Sequence, residues 1–177
     1  MEPTKPPKRN NYFYGQLLTA EDLARDQEYF RERLRRHNRA LHGSGVVYGL
    51  DLEVAPDQGS SSPATLTVSP GYALSPRGEE ILVGELLSRP VTCAADRCLV
   101  AVRYDERLVD PVPGMGVAPG DDETRFEAIE ETYVVDVFED VLPAPEDQWV
   151  VLGEVICDPT GQVIVDSTAR RHAERCG

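Results

Sequence analysis

Residues 10–54 read NNYFYGQLLTAEDLARDQEYFRERLRRHNRALHGSGVVYGLDLEV, and in them a long helix, a glycine-rich turn and an alternating strand follow one another. Thr19 precedes a helix-forming run and has Asp22 three residues on, so hydroxyl and carboxylate can satisfy orphan amides of the first turn. The glycines of His42-Gly43-Ser44-Gly45 can take the positive φ that closes a helix. Five arginines from Arg31 to Arg39 lie in the half where the helix dipole favours cations.

Between these ends, Leu23, Gln27, Phe30, Leu34, His37 and Leu41 fall at spacings of four and three, a narrow stripe suited to a helix lying against one partner. The opposite face carries Arg25, Glu28, Glu32, Arg35, Arg36 and Arg39, a pattern expected of a solvated face. Val46, Tyr48, Leu50, Leu52 and Val54 then alternate with Val47, Gly49, Asp51 and Glu53, the period of a strand with one buried face. The helix hands over directly to a sheet.

At 177 residues the chain is long enough for one core plus an extended arm. A hydrophobic content of 41% with 28% charge describes a folded chain, and no apolar run reaches bilayer-crossing length, so no membrane insertion is expected. Residues 1–9 are Pro- and Lys-rich with no apolar stretch behind them, so no secretory leader is expected and the chain is read as cytoplasmic. The net charge of −13 is uneven: residues 1–45 hold nine Lys/Arg against six Asp/Glu, leaving −16 for the remainder. A basic arm on an acidic body favours steering towards an acidic neighbour, such as another copy of the chain. Nucleic acid is not an expected partner, because the acidic body repels phosphates and the arm lacks a nucleic-acid motif.

Cys93, Cys98, Cys157 and Cys176 make no zinc pattern; idle thiols are the plain reading, with a Cys93–Cys98 disulfide open to a chain that ends outside the cell. Tyr12, Phe13 and Tyr14 stand in a row ahead of the helix, where they either dock on the protein's own sheet or anchor it to a neighbour. Downstream, strands are predicted over 66–69, 98–104, 129–140, 148–157 and 162–166, with a hairpin turning at Ser75-Pro76-Arg77-Gly78. Residues 105–125, rich in Pro and Gly and closed by Asp121-Asp122-Glu123, read as a long loop without the ordered ligand spacing of a calcium site. The expected fold is mainly β with one long N-terminal α-helix: an antiparallel β-sandwich or barrel-like domain (46–168), preceded by an extended lead-in and helical arm (1–45) and followed by a basic tail (169–177).

Residues that would carry chemistry are few. His37, His42 and His172 sit in no metal or triad motif, and the adjacent pairs Glu79-Glu80 and Glu130-Glu131 point to opposite faces of a strand. Nucleophile elbow and phosphate-cradling loop are both missing, so an enzyme is not expected, nor a cofactor or metal.

Residues 10–52, followed by LTVSPGYALSPRGEEILV at 66–83, resemble small proteins encoded with phage-tail-like, extracellular contractile injection systems. The phrases Gly45-Val46-Val47-Tyr48-Gly49-Leu50, Val68-Ser69-Pro70-Gly71-Tyr72-Ala73 and Leu152-Gly153-Glu154-Val155 are similar to β modules of phage tail and tail-fibre proteins; the middle of the chain is unmatched. The resemblance implies a structural subunit: an adaptor capping tube and sheath, or else a baseplate or fibre-attachment part. It implies tube and sheath proteins as partners, a ring-forming homo-oligomer for which six-fold symmetry is an option, and a particle that can be released from the cell. A surface-binding β module is the alternative, for which Trp149, inside an apolar strand, is a poor platform. The expected interface anchors are Tyr12, Phe13, Tyr14, Leu23, Phe30, Leu34, Arg35, Arg36 and Leu41.

Overall fold

The computed structural model describes residues 6–55, 64–91, 97–112, 125–139, 141–157 and 163–173. Helix α1 (Ala20–Leu41) starts where the capping pattern puts it: Thr19 Oγ1 accepts from the Asp22 amide at 3.3 Å, and Asp22 Oδ2 accepts from the Thr19 amide at 3.2 Å. It ends with the His42 amide donating to the Asn38 carbonyl at 2.9 Å, before Gly43 turns at φ 67°.

The strand expected over 46–54 is two. β1 (Gly45–Gly49) and β2 (Leu52–Ala55) are separated at Gly49 and Leu50, which take φ of 62° and 58°. Here the chain leaves one sheet for another, since β1 pairs with β4 (Gly71–Leu74) and β2 with β3 (Ala64–Val68). The return from β3 to β4 runs beside it: the Leu50 amide donates to the Pro70 carbonyl at 3.3 Å, and the Ser69 amide to the Asp51 carbonyl at 2.9 Å. A Cβ on Gly49 would lie 2.1 Å from the Pro70 oxygen, and one on Gly71 2.4 Å from the Leu50 nitrogen. Two backbones cross in contact, and only glycine fits both places.

β5 (Glu80–Val83) completes the sheet β1-β4-β5, returning from β4 through the expected turn at Gly78 (φ 84°). β6 (Leu87–Val91), missed in the sequence, closes the order β2-β3-β6; its Pro90 is tolerated because the strand is an edge. The third sheet has the order β10-β9-β7-β8, from β7 (Arg97–Val112), β8 (Arg125–Glu139), β9 (Trp149–Cys157) and β10 (Val163–Asp166). Among the described residues every strand ladder is antiparallel, and the fold is mainly β with one N-terminal helix, as expected.

One core joins the sheets, with Val46, Leu50, Ile81, Val100, Val102, Leu152 and Val155 each at 0% exposure. Asn38 is the one buried residue of α1, so the helix lies outside this core. The segment after β10 runs back along β1: the Val46 amide donates to the Arg171 carbonyl at 2.9 Å, and the Ala173 amide to the Val46 carbonyl at 3.1 Å. Residues 169–173, read from sequence as the start of a basic tail, are thus part of the sheet assembly.

The reading of 105–125 as a loop is corrected at both ends. Residues 105–112 continue β7, and Arg125 opens β8, paired from Cys98↔Glu139 to Val112↔Arg125. Pro111 breaks no ladder, because β9 leaves β7 at Arg103↔Trp149 and, among the described residues, no strand pairs with that edge beyond it. The acid triplet and Cys93, hence the disulfide reading, fall outside the described residues.

Candidate docking surface

Helix α1 meets the β domain at the β4–β5 turn. Asn38 Nδ2 donates to the Gly78 carbonyl at 3.0 Å, and Arg39 donates to the Arg77 carbonyl. A Cβ on Gly78 would stand 2.2 Å from the Arg35 carbonyl oxygen, so the helix backbone rests on the turn. Arg35 pairs with Glu79 at 3.5 Å, and Arg31 pairs with Glu106 on β7. These residues recur at three and four along the helix and define its inner face.

That inner face is polar, contrary to the expected arrangement, in which the arginine face is solvated and the stripe is covered. Leu23, Phe30, Leu34 and Leu41 are instead 53%, 56%, 47% and 48% exposed. The physical reason is local. The rim of the turn offers carbonyls at Arg77 and Gly78 and a carboxylate at Glu79, partners for Asn38, Arg39 and Arg35 but not for leucine.

The aromatic lead-in is likewise turned outward. Asn10 Nδ2 donates to the Asp22 carbonyl at 2.6 Å, fastening the lead-in to the start of α1. The Gln16 amide donates to the Phe13 carbonyl at 3.2 Å, closing a turn that carries the aromatics. Tyr12, Phe13 and Tyr14 are 44%, 68% and 106% exposed, with Leu17 and Leu18 beside them at 84% and 51%. Of the two sequence options for these rings, docking on the protein's own sheet does not occur. Arg36 is exposed, whereas Arg35 belongs to the intramolecular seam.

Beyond Arg103 the β7–β8 pair continues as a two-stranded ribbon beside the helix. Glu106 and Glu131 stand directly opposite each other, a repulsive placement that Arg31 relieves on one side. Tyr104 donates to Glu106 Oε1 at 2.9 Å; burial first, then this bond and the Glu131 and Glu106 charges, hold its phenol above the usual range, against the pull of Arg31. Leu108 and Ile129, another opposed pair, are 59% and 56% exposed. A small cleft between helix and ribbon is lined by Arg31, Leu34, Tyr104 and Glu131. Trp149 is 9% exposed, edge-on to Phe138 and under the Arg103 guanidinium, so most of its ring is covered by its own chain.

Together these features define a β-rich module that carries a helical arm with its apolar side outward. No protein-family model matches the sequence, and no curated protein matches it. Among solved structures the fold is similar to TssK, with TM-score 0.50 and 11% identity over 91% of this chain and 41% of that one. It is also similar to a chain of the TssK–TssF–TssG baseplate subcomplex of the type VI secretion system, with TM-score 0.54 and 12% identity over 91% of this chain and 60% of that one. A chain of the baseplate complex from the type VI secretion system gives TM-score 0.53 and 14% identity, over 92% and 41% of the respective chains. At such identities the likeness is one of fold, and this chain spans between 41% and 60% of the length of those structures.

Proposed function

We propose that the protein is a non-enzymatic structural subunit of a phage-tail-like contractile injection particle, and that it grips other subunits with its arm. The observation that carries this reading is the orientation of α1: Asn38 and Arg35 bind the β4–β5 turn, and Leu23 and Phe30 are presented outward. A helix that served only to cover its own sheet would turn the stripe inward, because burying a Leu or Phe side chain contributes about 1.5–3 kcal/mol. The interface anchors are Tyr12, Phe13, Tyr14, Leu23, Phe30, Leu34, Arg36 and Leu41, an aromatic, leucine and arginine mixture of the kind found at the centre of protein interfaces.

Within the particle the baseplate end is the position that the likeness to TssK-containing assemblies supports. A cap-side adaptor, drawn from the sequence resemblance, is the second reading and makes tube and sheath proteins the direct contacts. In either place the subunit acts in several copies around the particle axis, a ring in which one patch meets a different patch on the next copy. Affinity capture of the tagged full chain from cells making the particle tests this. Baseplate subunits co-purify under the first reading, tube and sheath proteins under the second, and both are lost from a folded Leu23→Asp/Phe30→Asp variant. Particle proteins retained by that variant would remove the arm from the assembly.

A further inference from the structure

The arm needs a receiving surface, and the molecule carries one that complements it. Residues 6–41 hold eight Lys/Arg against five Asp/Glu, a balance of +3. The ribbon beyond Arg103, residues 104–112 and 125–133, holds two against six, a balance of −4. Among the described residues, the ion pairs of both elements leave out Arg33 and Arg36 with Glu21 and Asp26 on the helix, and Asp110, Glu127 and Glu131 with the single cation Arg125 on the ribbon. Glu127 and Glu131 flank Ile129 at a spacing of two, so all three share one ribbon face, and Leu108 faces Ile129 across the pair. The face is therefore acidic around an exposed apolar centre. The helix presents the converse, an apolar stripe through Leu23 and Phe30 with Arg33 on its border.

The two elements also match in length. A helix of 22 residues is about 33 Å long, and the nine residues of ribbon strand from 104 to 112, all but Asp110 paired, span about 30 Å. The intramolecular seam does not consume the match, because the chain's own helix reaches only the near end of this ribbon face, with Arg31 at Glu106 and Leu34 across a small cleft from Glu131, and leaves Ile129 exposed. We infer that the acidic, apolar face of the β7–β8 ribbon receives the arm of a second copy of this chain, Phe30 and Leu23 covering Leu108 and Ile129 while Arg33, at the border of the stripe, and Arg36, further round the helix, reach Glu127 and Glu131 at the rim of the contact. The inference rests on the reading of the arm as an assembly element and says which surface of the neighbour it grips.

Sedimentation of the purified full chain over a range of concentrations and salt tests it. The wild type self-associates, and its dissociation constant rises with ionic strength. Arg33→Glu/Arg36→Glu and Glu127→Arg/Glu131→Arg each weaken association at least about tenfold, and the chain carrying all four reversals returns to within about threefold of wild type. Unchanged circular dichroism shows that each variant is folded; for one that is not, the salt dependence of the wild type remains decisive. A wild type that stays monomeric, association indifferent to salt, or a four-fold reversal as weak as its parents would overturn the pairing. Capture of particle proteins by a chain that does not self-associate would remove this inference alone and leave the structural role standing.

Discussion

Asn38 Nδ2 donates to the Gly78 carbonyl over 3.0 Å, and this contact sets which side of α1 faces outward. It lies at the centre of the seam, with the Arg35 carbonyl packed on the same glycine and Arg39 bonded to the preceding carbonyl. Asn38→Ala leaves the Gly78 oxygen without this donor and is expected to cost about 1–3 kcal/mol in urea unfolding. Gly78→Ala is more severe, since the residue sits at φ 84° and its Cβ has no room. Both variants should make α1 more accessible to proteolysis while the β domain stays resistant. Equal protection of helix and sheet in these variants would refute the seam.

Charge placed on the exposed stripe should be thermodynamically silent. Leu23→Asp/Phe30→Asp is expected to change the unfolding free energy by no more than about 0.5 kcal/mol per site, because neither side chain enters the core. Val46→Asp, at 0% exposure, is the contrast and should prevent folding. Measured at concentrations where the chain is monomeric, a large loss of stability in the double variant would mean that the stripe packs on its own chain.

Arg170 ties the end of the chain to the sheet crossing. With 8% of its side chain exposed, it donates to the Leu50 carbonyl at 3.3 Å, to Asp51 at 3.0 Å and to the Gly49 carbonyl. Gly49 and Leu50 are the residues at which the backbone takes positive φ, so the guanidinium satisfies carbonyls that the broken ladder leaves over. Arg170→Met is expected to destabilise by about 2–4 kcal/mol, and Arg170→Lys to recover only part, since an ammonium cannot span the fork. Chemical denaturation of the three proteins checks this; full rescue by lysine would show that charge alone matters.

Tyr104 and Tyr72 should be slow to ionise. Burial raises both phenols, assisted by Glu106 at Tyr104 and by Glu80 at Tyr72. The folded chain then holds these protons more tightly than the unfolded one, so their contribution to stability is complete below about pH 10 and is lost as pH climbs from there towards the folded values. A phenolate absorbance titration of the folded protein should show a late step that Tyr104→Phe diminishes. An unchanged late step would contradict the burial of Tyr104.

Much of the architecture was legible because it is local. The capping pair Thr19 and Asp22, the glycines after Leu41 and the turn at Gly78 each specify a backbone conformation through neighbouring residues, and the structure has all of them. The alternation through 46–54 was legible but incomplete: it could not show that Leu50 adopts φ 58° and passes the chain between sheets, because that depends on Pro70 and Gly71 arriving from the next hairpin. Likewise 105–112 looked like loop from its Pro and Gly content, yet pairing with 125–132 makes it strand.

The candidate surface divided in the same way. Composition and periodicity alone determined that a basic, striped arm precedes an acidic β body, since charge and spacing are properties of the chain. Which side of the arm faces outward was decided only in three dimensions. The hydrophobic effect has no direction and says that the stripe wants cover, but the hydrogen bonds that orient the helix come from Arg77, Gly78 and Glu79, some forty residues away in the chain. No periodicity within α1 encodes those partners, and they fix the polar face inward and leave Phe30 looking out.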